Sequence, residues 1–444
     1  MSGAPVNGDE AGEETVPYDA RNRFLPISGT IPNDSASTLW ACVEDRPKSL
    51  TPYRLPGLHR HCDHGCSGQL PMETARISYL TDIHFGFGAV SDLDQVLAGL
   101  NTSRAMLVTD PPLVAAGIPA KLPLEPVCVY DQVRTNPTET AALAALELFR
   151  GHRCDMILAV GGGSPIDLAK AVALLVHHPT PLSQYAFIHD GIHRITADQP
   201  PVIAVPTTSG TGSEVGRAAL ITLQEGEKLA LISPHLIPDA AICDPELTLS
   251  MPPHLTAATG MDAISHCIET FCSPKLNPVA DAIALDGLAR AFQHIRTAVE
   301  QPDDRAARSA MMMAALEGGL TFQKGLGAVH AMSHPLGALP HRPLHHGTLN
   351  AIFLPHVLRY NHDTCAEKMQ IMAKRLQIGS GHRLPTVFAE LIDDLGLPAN
   401  LRGLGLTESD LANLPTRAVQ DHCTVTNPRP VTADNYRDLF TAAL

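Results

Sequence analysis

Long apolar runs are missing from this sequence: no stretch approaches the roughly 20 residues that a membrane-spanning helix needs, which argues against a bilayer span. The opening MSGAPVNGDEAGEETV lacks the basic and apolar regions of a secretory signal. Lys and Arg never gather into a dense patch, and the net charge is -14, so nucleic acid and anionic membrane surfaces are poor partners. Ten cysteines are scattered without a repeated framework, which reads as reduced thiols and a cytoplasmic location. Aromatic residues make up only 4%, so composition carries no imprint of the size or acidity of a substrate. No internal repeat is evident.

What remains is a globular composition, 44% hydrophobic and 18% charged over 444 residues, long enough for two cores with a ligand cleft between them. Residues 1–73 are rich in Pro, Gly, Asp and Glu and show no sustained periodicity, so a poorly ordered extension is expected there. His59, His61, Cys62, His64 and Cys66 within it have metal-like spacing but no second pair at finger-like distance, and Met72 is a candidate physiological start. From Ile77 the texture changes to short apolar runs between helical patterns: RAMLVTD at 104–110, then PVCVYD, DMILAV at 155–160 and PVIAVPTT at 201–208. Such alternation implies a parallel α/β sheet over residues 74–250. Beyond Pro252 and Pro253 the strand-like runs vanish, and Ala-, Leu- and Met-rich helical spacing predicts an all-helical second domain over 251–444.

The strand-like Cys154–Val160 leads into Gly161, Gly162, Gly163 and Ser164 and then a helical pattern from Pro165. Strand, glycine loop and helix start, with Ser164 as the cap, make a candidate diphosphate cradle, because free N–H groups and the helix dipole attract anions. It is not the G-x-G-x-x-G fingerprint. Asp110 ends RAMLVTD at a strand C-terminus, where a carboxylate can accept a ribose diol and repel the extra phosphate of NADP, which favours NAD. An N-cap aspartate before Pro111 and Pro112 is the structural alternative. Thr207, Thr208 and Thr211 follow a further strand with hydroxyls suited to a cofactor channel.

Asp262 and His266 stand four apart in GMDAISHCIE, on one face of a helix. His330 and His334 repeat that spacing, and His345 and His346 follow shortly. Three neutral imidazoles and one carboxylate suit Fe(II) or Zn(II) with a position left open for substrate.

FGFGA at 85–89, GGGSPIDLAK, PTTSGTGSE, ATGMDAISHCIE, GAVHAMSHPLGAL and HHGTLNA together resemble, in order and over residues 77–444, the iron-containing (group III) alcohol dehydrogenase family. The resemblance implies an N-terminal dinucleotide-binding α/β domain, a helical metal-binding domain, and reversible interconversion of a small alcohol with its aldehyde or ketone. It assigns the metal to Asp262, His266, His330 and His346, and puts His334 near the nicotinamide, placed to relay the alcohol proton. Asp110, Gly161, Gly162, Gly163, Ser164, Thr207, Thr208, Thr211 and Lys228 fall on NAD contacts, with Lys228 reaching the ribose. A homodimer is the expected assembly. The chain departs from the pattern in ALPHRPLHHG, where about two extra residues make His345 compete with His346, and in its long extension. Relatives with other chemistry stay in view. Maleylacetate reductases typically replace the aspartate that is intact here as Asp262, a hydroxyacid–oxoacid transhydrogenase would retain its NAD, and dehydroquinate-synthase-like lyases match the motifs less well.

Overall fold

The computed structural model describes residues 77, 79 and 81–444 apart from 225, 340, 341 and 343. The extension 1–73, with its His59–Cys66 cluster, lies outside the described residues. The first half runs β1 (Asp82–Phe85), α1 (Leu93–Leu100), β2 (Ala105–Val108), α2 (Pro111–Ala115), β3 (Cys128–Tyr130), α3 (Glu139–Gly151), β4 (Met156–Gly161), α4 (Gly163–His177), β5 (Val202–Pro206), β6 (Ala218–Thr222), β7 (Lys228–Ile232) and β8 (Ala240–Cys243). The second half is helical: α5 (Pro253–Cys272), α6 (Pro278–Glu300), α7 (Arg305–Leu320), α8 (Ala328–Gly337), α9 (His346–Arg375), α10 (Leu384–Asp394), α11 (Leu414–Gln420) and α12 (Ala433–Ala443).

Six strands form a wholly parallel sheet in the order β1-β8-β5-β4-β2-β3, while β6 and β7 make a separate antiparallel pair. The apolar runs of β2, β4 and β5 are buried at every residue, as strands covered on both faces must be. One apolar cluster packs Met106, Val108, Ile157 and Ala159 under α3 and α4, and another packs Leu107, Leu158, Val160 and Ile203 under α1. Apolar periodicity missed β1, β8 and the β6–β7 pair. The first is exposed at its start, the second is built of small residues, and β6 alternates between half-buried and buried positions.

Because β5, β4 and β2 are neighbours, their C-terminal ends bring three separate sequence signals to one edge: the threonine loop, the glycine loop and Asp110. Two residues of α4 then fix the threonine loop. Lys170 Nζ donates to the carbonyls of Ser213, Gly216 and Ala218 at 2.7–2.9 Å, and Asp167 accepts from Ser213 Oγ at 2.6 Å and from the Leu220 amide at 3.1 Å. Both side chains project from one helix face, being three residues apart.

In the helical half, α5 is buried from Thr256 to Cys272 and packs against α6, α7 and α9, so a helix covered nearly all round lies at the centre, with an apolar side toward its neighbours and a polar one that includes Asp262, His266 and Glu269. Ala241 and Cys243 of β8 pack with Val215 and with Met312 and Leu316 of α7, which joins the sheet to the helices.

Candidate metal centre and cofactor cleft

Helix α5 projects Asp262, His266 and Glu269 from successive turns of one face into the interior, all three being buried. Facing them are His330 of α8 and His346, the first residue of α9. The Nε2 atoms of His266, His330 and His346 stand 3.6, 3.7 and 3.7 Å from Asp262 Oδ1. One donor atom each from Asp262, His330 and His346 falls within 4.8 Å of the others, and His266 joins this tighter trio through Asp262. Of the two adjacent histidines, His346 is the one turned to Asp262. His345 is the N-cap of α9, with its Nδ1 buried and unpartnered. The approach depends on Gly347, where a Cβ would lie 2.2 Å from the carbonyl oxygen of Ala258 on α5. Only glycine lets α9 begin so close to α5.

The second nitrogen of each imidazole is engaged, which orients the ring. His266 Nδ1 donates to the Gly210 carbonyl at 3.1 Å, His330 Nδ1 donates to Glu269 Oε2 at 2.6 Å, and His346 Nδ1 lies 3.3 Å from Ser333 Oγ. Burial pushes His266 down to about 4 and His346 well below its ordinary range, so both are neutral with lone pairs available. Burial would also lower His330, but its bonds to Asp262 and Glu269 prevail and raise it to about 9. For Asp262, burial opposes ionisation, yet the surrounding imidazoles outweigh it and hold the carboxyl far below the usual range. The Asn350 amide nitrogen sits 2.7 Å from Asp262 Oδ1 and 3.1 Å from the Nε2 atoms of both His330 and His346, while its buried Oδ1 has no partner. A buried carboxylate with three imidazole nitrogens converging on it is a donor set that fits a divalent cation.

His334, one turn beyond His330, stacks on His346 with ring centroids 5.4 Å apart, and its Nδ1 donates to Asp421 Oδ2 at 2.8 Å. Around the glycine loop, α4 begins at Gly163 with Gly162 as its N-cap. Ser164 is therefore inside the first turn and is not the cap expected from sequence. Thr211 stands over the loop, 2.9 Å from where a Cβ on Gly163 would be, and the Thr207 amide donates to the Gly161 carbonyl at 3.0 Å. Thr208 lies against Gly162 in the same way, at 3.1 Å. Asp110 caps α2 through the Leu113 amide at 3.0 Å, as the structural alternative required. Lys228, half-buried at the start of β7, donates to Asn136 Oδ1 at 2.7 Å, and Asn136 in turn donates to the Gly337 carbonyl of α8. Lys228 thus bridges the antiparallel pair to the helix carrying His330 and His334.

A family model described as iron-containing alcohol dehydrogenase matches residues 81–245, and one described as the Fe-containing alcohol dehydrogenase family, C-terminal, matches residues 256–444. The chain belongs to the iron-containing alcohol dehydrogenase family. It is an oxidoreductase acting on CH–OH groups. Over 378 residues this alcohol dehydrogenase is 47% identical to a 4-hydroxybutyrate dehydrogenase of Cupriavidus necator, covering 82% of this chain and 99% of that protein. A crystal structure of 1,3-propanediol oxidoreductase superposes with a TM-score of 0.76 at 34% identity, covering 83% of this chain and all of the other. Sulfoacetaldehyde reductase from Bifidobacterium kashiwanohense in complex with NAD+ gives a TM-score of 0.76 at 28% identity, covering 84% and 99%. Among the described residues, no helix of the dehydrogenase is long and apolar enough to cross a membrane.

Glu269, Asn350 and Asp421 were not picked out by the sequence motifs. The first two had a signal, since Glu269 continues the Asp262, His266 face by three residues and Asn350 lies four beyond His346. Asp421 had none.

Proposed function

We propose that the chain catalyses reversible, NAD-linked oxidation of a small alcohol at a divalent cation held by Asp262, His266, His330 and His346. The observation carrying this reading is the convergence of three imidazole Nε2 atoms on one buried carboxylate, each ring fixed through its other nitrogen. An Fe(II) or Zn(II) ion in such a set supplies Lewis acidity toward a substrate oxygen, and NAD supplies the hydride acceptor. The free amides at the start of α4, from Gly162 through Ser164, receive the diphosphate. Thr207, Thr208 and Thr211 wall that side, Lys228 reaches the ribose next to the nicotinamide, and Asp110 takes the adenosine ribose diol and disfavours NADP. His334, oriented by Asp421, carries the alcohol proton away from the site.

The named substrate of the 47% identical relative makes a short hydroxy acid with a terminal alcohol the first compound to test. The metal-loaded enzyme is mixed with NAD and 4-hydroxybutyrate, primary alcohols or diols, and NADH absorbance is followed. Steady NADH accumulation with one of them is expected. Transfer between a hydroxy acid and an oxo acid without net NADH would replace the reading with a transhydrogenase, and no redox exchange with any of them would overturn it.

A further inference from the structure

We propose that His334, Asp421, His422 and Cys423 form a second cation site, selective for zinc-class ions and inhibitory when filled. One donor atom from each of the four lies within 4.8 Å of the others. Two of its edges are set in the resting geometry: His334 Nδ1 to Asp421 Oδ2 at 2.8 Å and Cys423 Sγ to His422 Nε2 at 3.4 Å. The edges of a tetrahedral zinc site, at bonds of about 2.0–2.3 Å, are roughly 3.3–3.8 Å. Side-chain movements of about 1 Å close the gap.

The donor chemistry selects the ion. Two imidazoles, a carboxylate and a thiol suit Zn(II) and its softer relatives, whereas Mg(II) and Ca(II) seek oxygen. Charge also balances: Cys423 releases its thiol proton on binding, so thiolate, carboxylate and two neutral imidazoles offset the dication in a site where His334 and Cys423 are buried. Burial pushes His422 down to about 4, which leaves its ring neutral.

The framework is in place beforehand. Asp421, His422 and Cys423 follow α11 directly, and the Cys423 amide donates to Asp421 Oδ1 at 2.8 Å. Thr424 anchors the segment, donating to the Ala418 carbonyl at 2.6 Å and pairing with the Tyr436 hydroxyl at 2.7 Å. The His334 and His422 rings face each other at 5.5 Å and 12°. A cation joining His334 and Asp421 replaces the hydrogen they share, so it silences His334 without displacing the ion at Asp262. That inhibitory consequence rests on the proposed role of His334, but occupancy of the site does not.

The test is zinc titration of the enzyme already loaded with its activating metal, reading total metal per chain, turnover, and the ultraviolet thiolate band that cadmium gives in zinc's place. Wild type is expected to take up one further zinc, lose turnover roughly 10²-fold, recover with a weak chelator, and show the cadmium band. His422→Ala and Cys423→Ser should keep basal turnover and the first metal but lose the extra ion and the inhibition, with no cadmium band in Cys423→Ser. Wild type binding no further zinc, or both variants binding it and being inhibited as wild type is, would overturn the site. Extra zinc bound with turnover unchanged would support the site and overturn the role given to His334.

Discussion

Glu269 accepts a 2.6 Å hydrogen bond from His330 Nδ1 and, through the same carboxylate, the amides of Gly327 and Val329 that open α8. One buried side chain therefore sets both the ring and the helix that carries it. Glu269→Gln is expected to weaken metal binding by about 10–100-fold, the usual effect of losing a carboxylate behind a histidine ligand. Chelator competition measures this, and excess metal should restore most of the activity. Unchanged metal affinity with reduced solubility would instead mark Glu269 as a helix anchor only.

Asp421 should act on turnover and not on metal content. Asp421→Ala removes the acceptor of the His334 Nδ1 hydrogen, so kcat is expected to fall about 10²-fold while KM and bound metal change little. Asp421→Asn, which keeps an acceptor without the charge, should lie between. Equal losses in kcat and bound metal would show that the residue supports the fold of the site as a whole.

The adjacent histidines provide a sharp contrast. His346→Ala should lose most of the metal and nearly all activity, and His345→Ala should keep the metal, since only His346 approaches Asp262. Metal analysis of the two purified variants decides it, and the reverse pattern would move the ligand assignment by one residue.

For the cofactor, Asp110→Ser is cleaner than Asp110→Gly. Serine preserves the cap on α2, worth about 1 kcal/mol, and removes only the charge. Preference for NAD over NADP should relax in the ratio of kcat/KM values with stability unchanged. A wild type that already uses NADP as well as NAD would exclude Asp110 from the ribose site.

How far the sequence could be read follows from the range of the interactions. The buried strands β2, β4 and β5 declared themselves as apolar runs, and Asp262 with His266 as a four-residue spacing, because both are local periodicities. Glu269 and Asn350 continue the same helical spacings, but a lone glutamate or asparagine at such a position is common on any helix face and marks no site by itself. Asp421 meets His334 across 87 residues, a contact made by the docking of α11 on α8 and by no local pattern. Ser164 shows the opposite failure. Its residue type suits a cap, but Gly161 and Gly162 let the chain turn two residues earlier, and the helix starts before it.

Glu214, at the end of the threonine motif, gives a prediction about stability and pH. It is fully buried near Lys170, and burial pushes its carboxyl up to about 7, against the pull of its own backbone amide and of Lys170. Its unfolded value is about 4.3. A raised carboxyl favours the protonated fold, so this group's contribution to stability is complete below its unfolded value and is lost as pH rises through about 7. The ionised form then costs the native state ~3 kcal/mol. Glu214→Gln, which cannot ionise, should be as stable as wild type near pH 4 and more stable by a few kcal/mol near pH 8, provided Lys170 keeps its carbonyl acceptors. Urea unfolding at the two pH values measures the difference. A variant less stable than wild type at the higher pH would mean that the Glu214 charge is needed to hold Lys170, whose own value burial lowers to about 8, and that the two act as an ion pair within the loop.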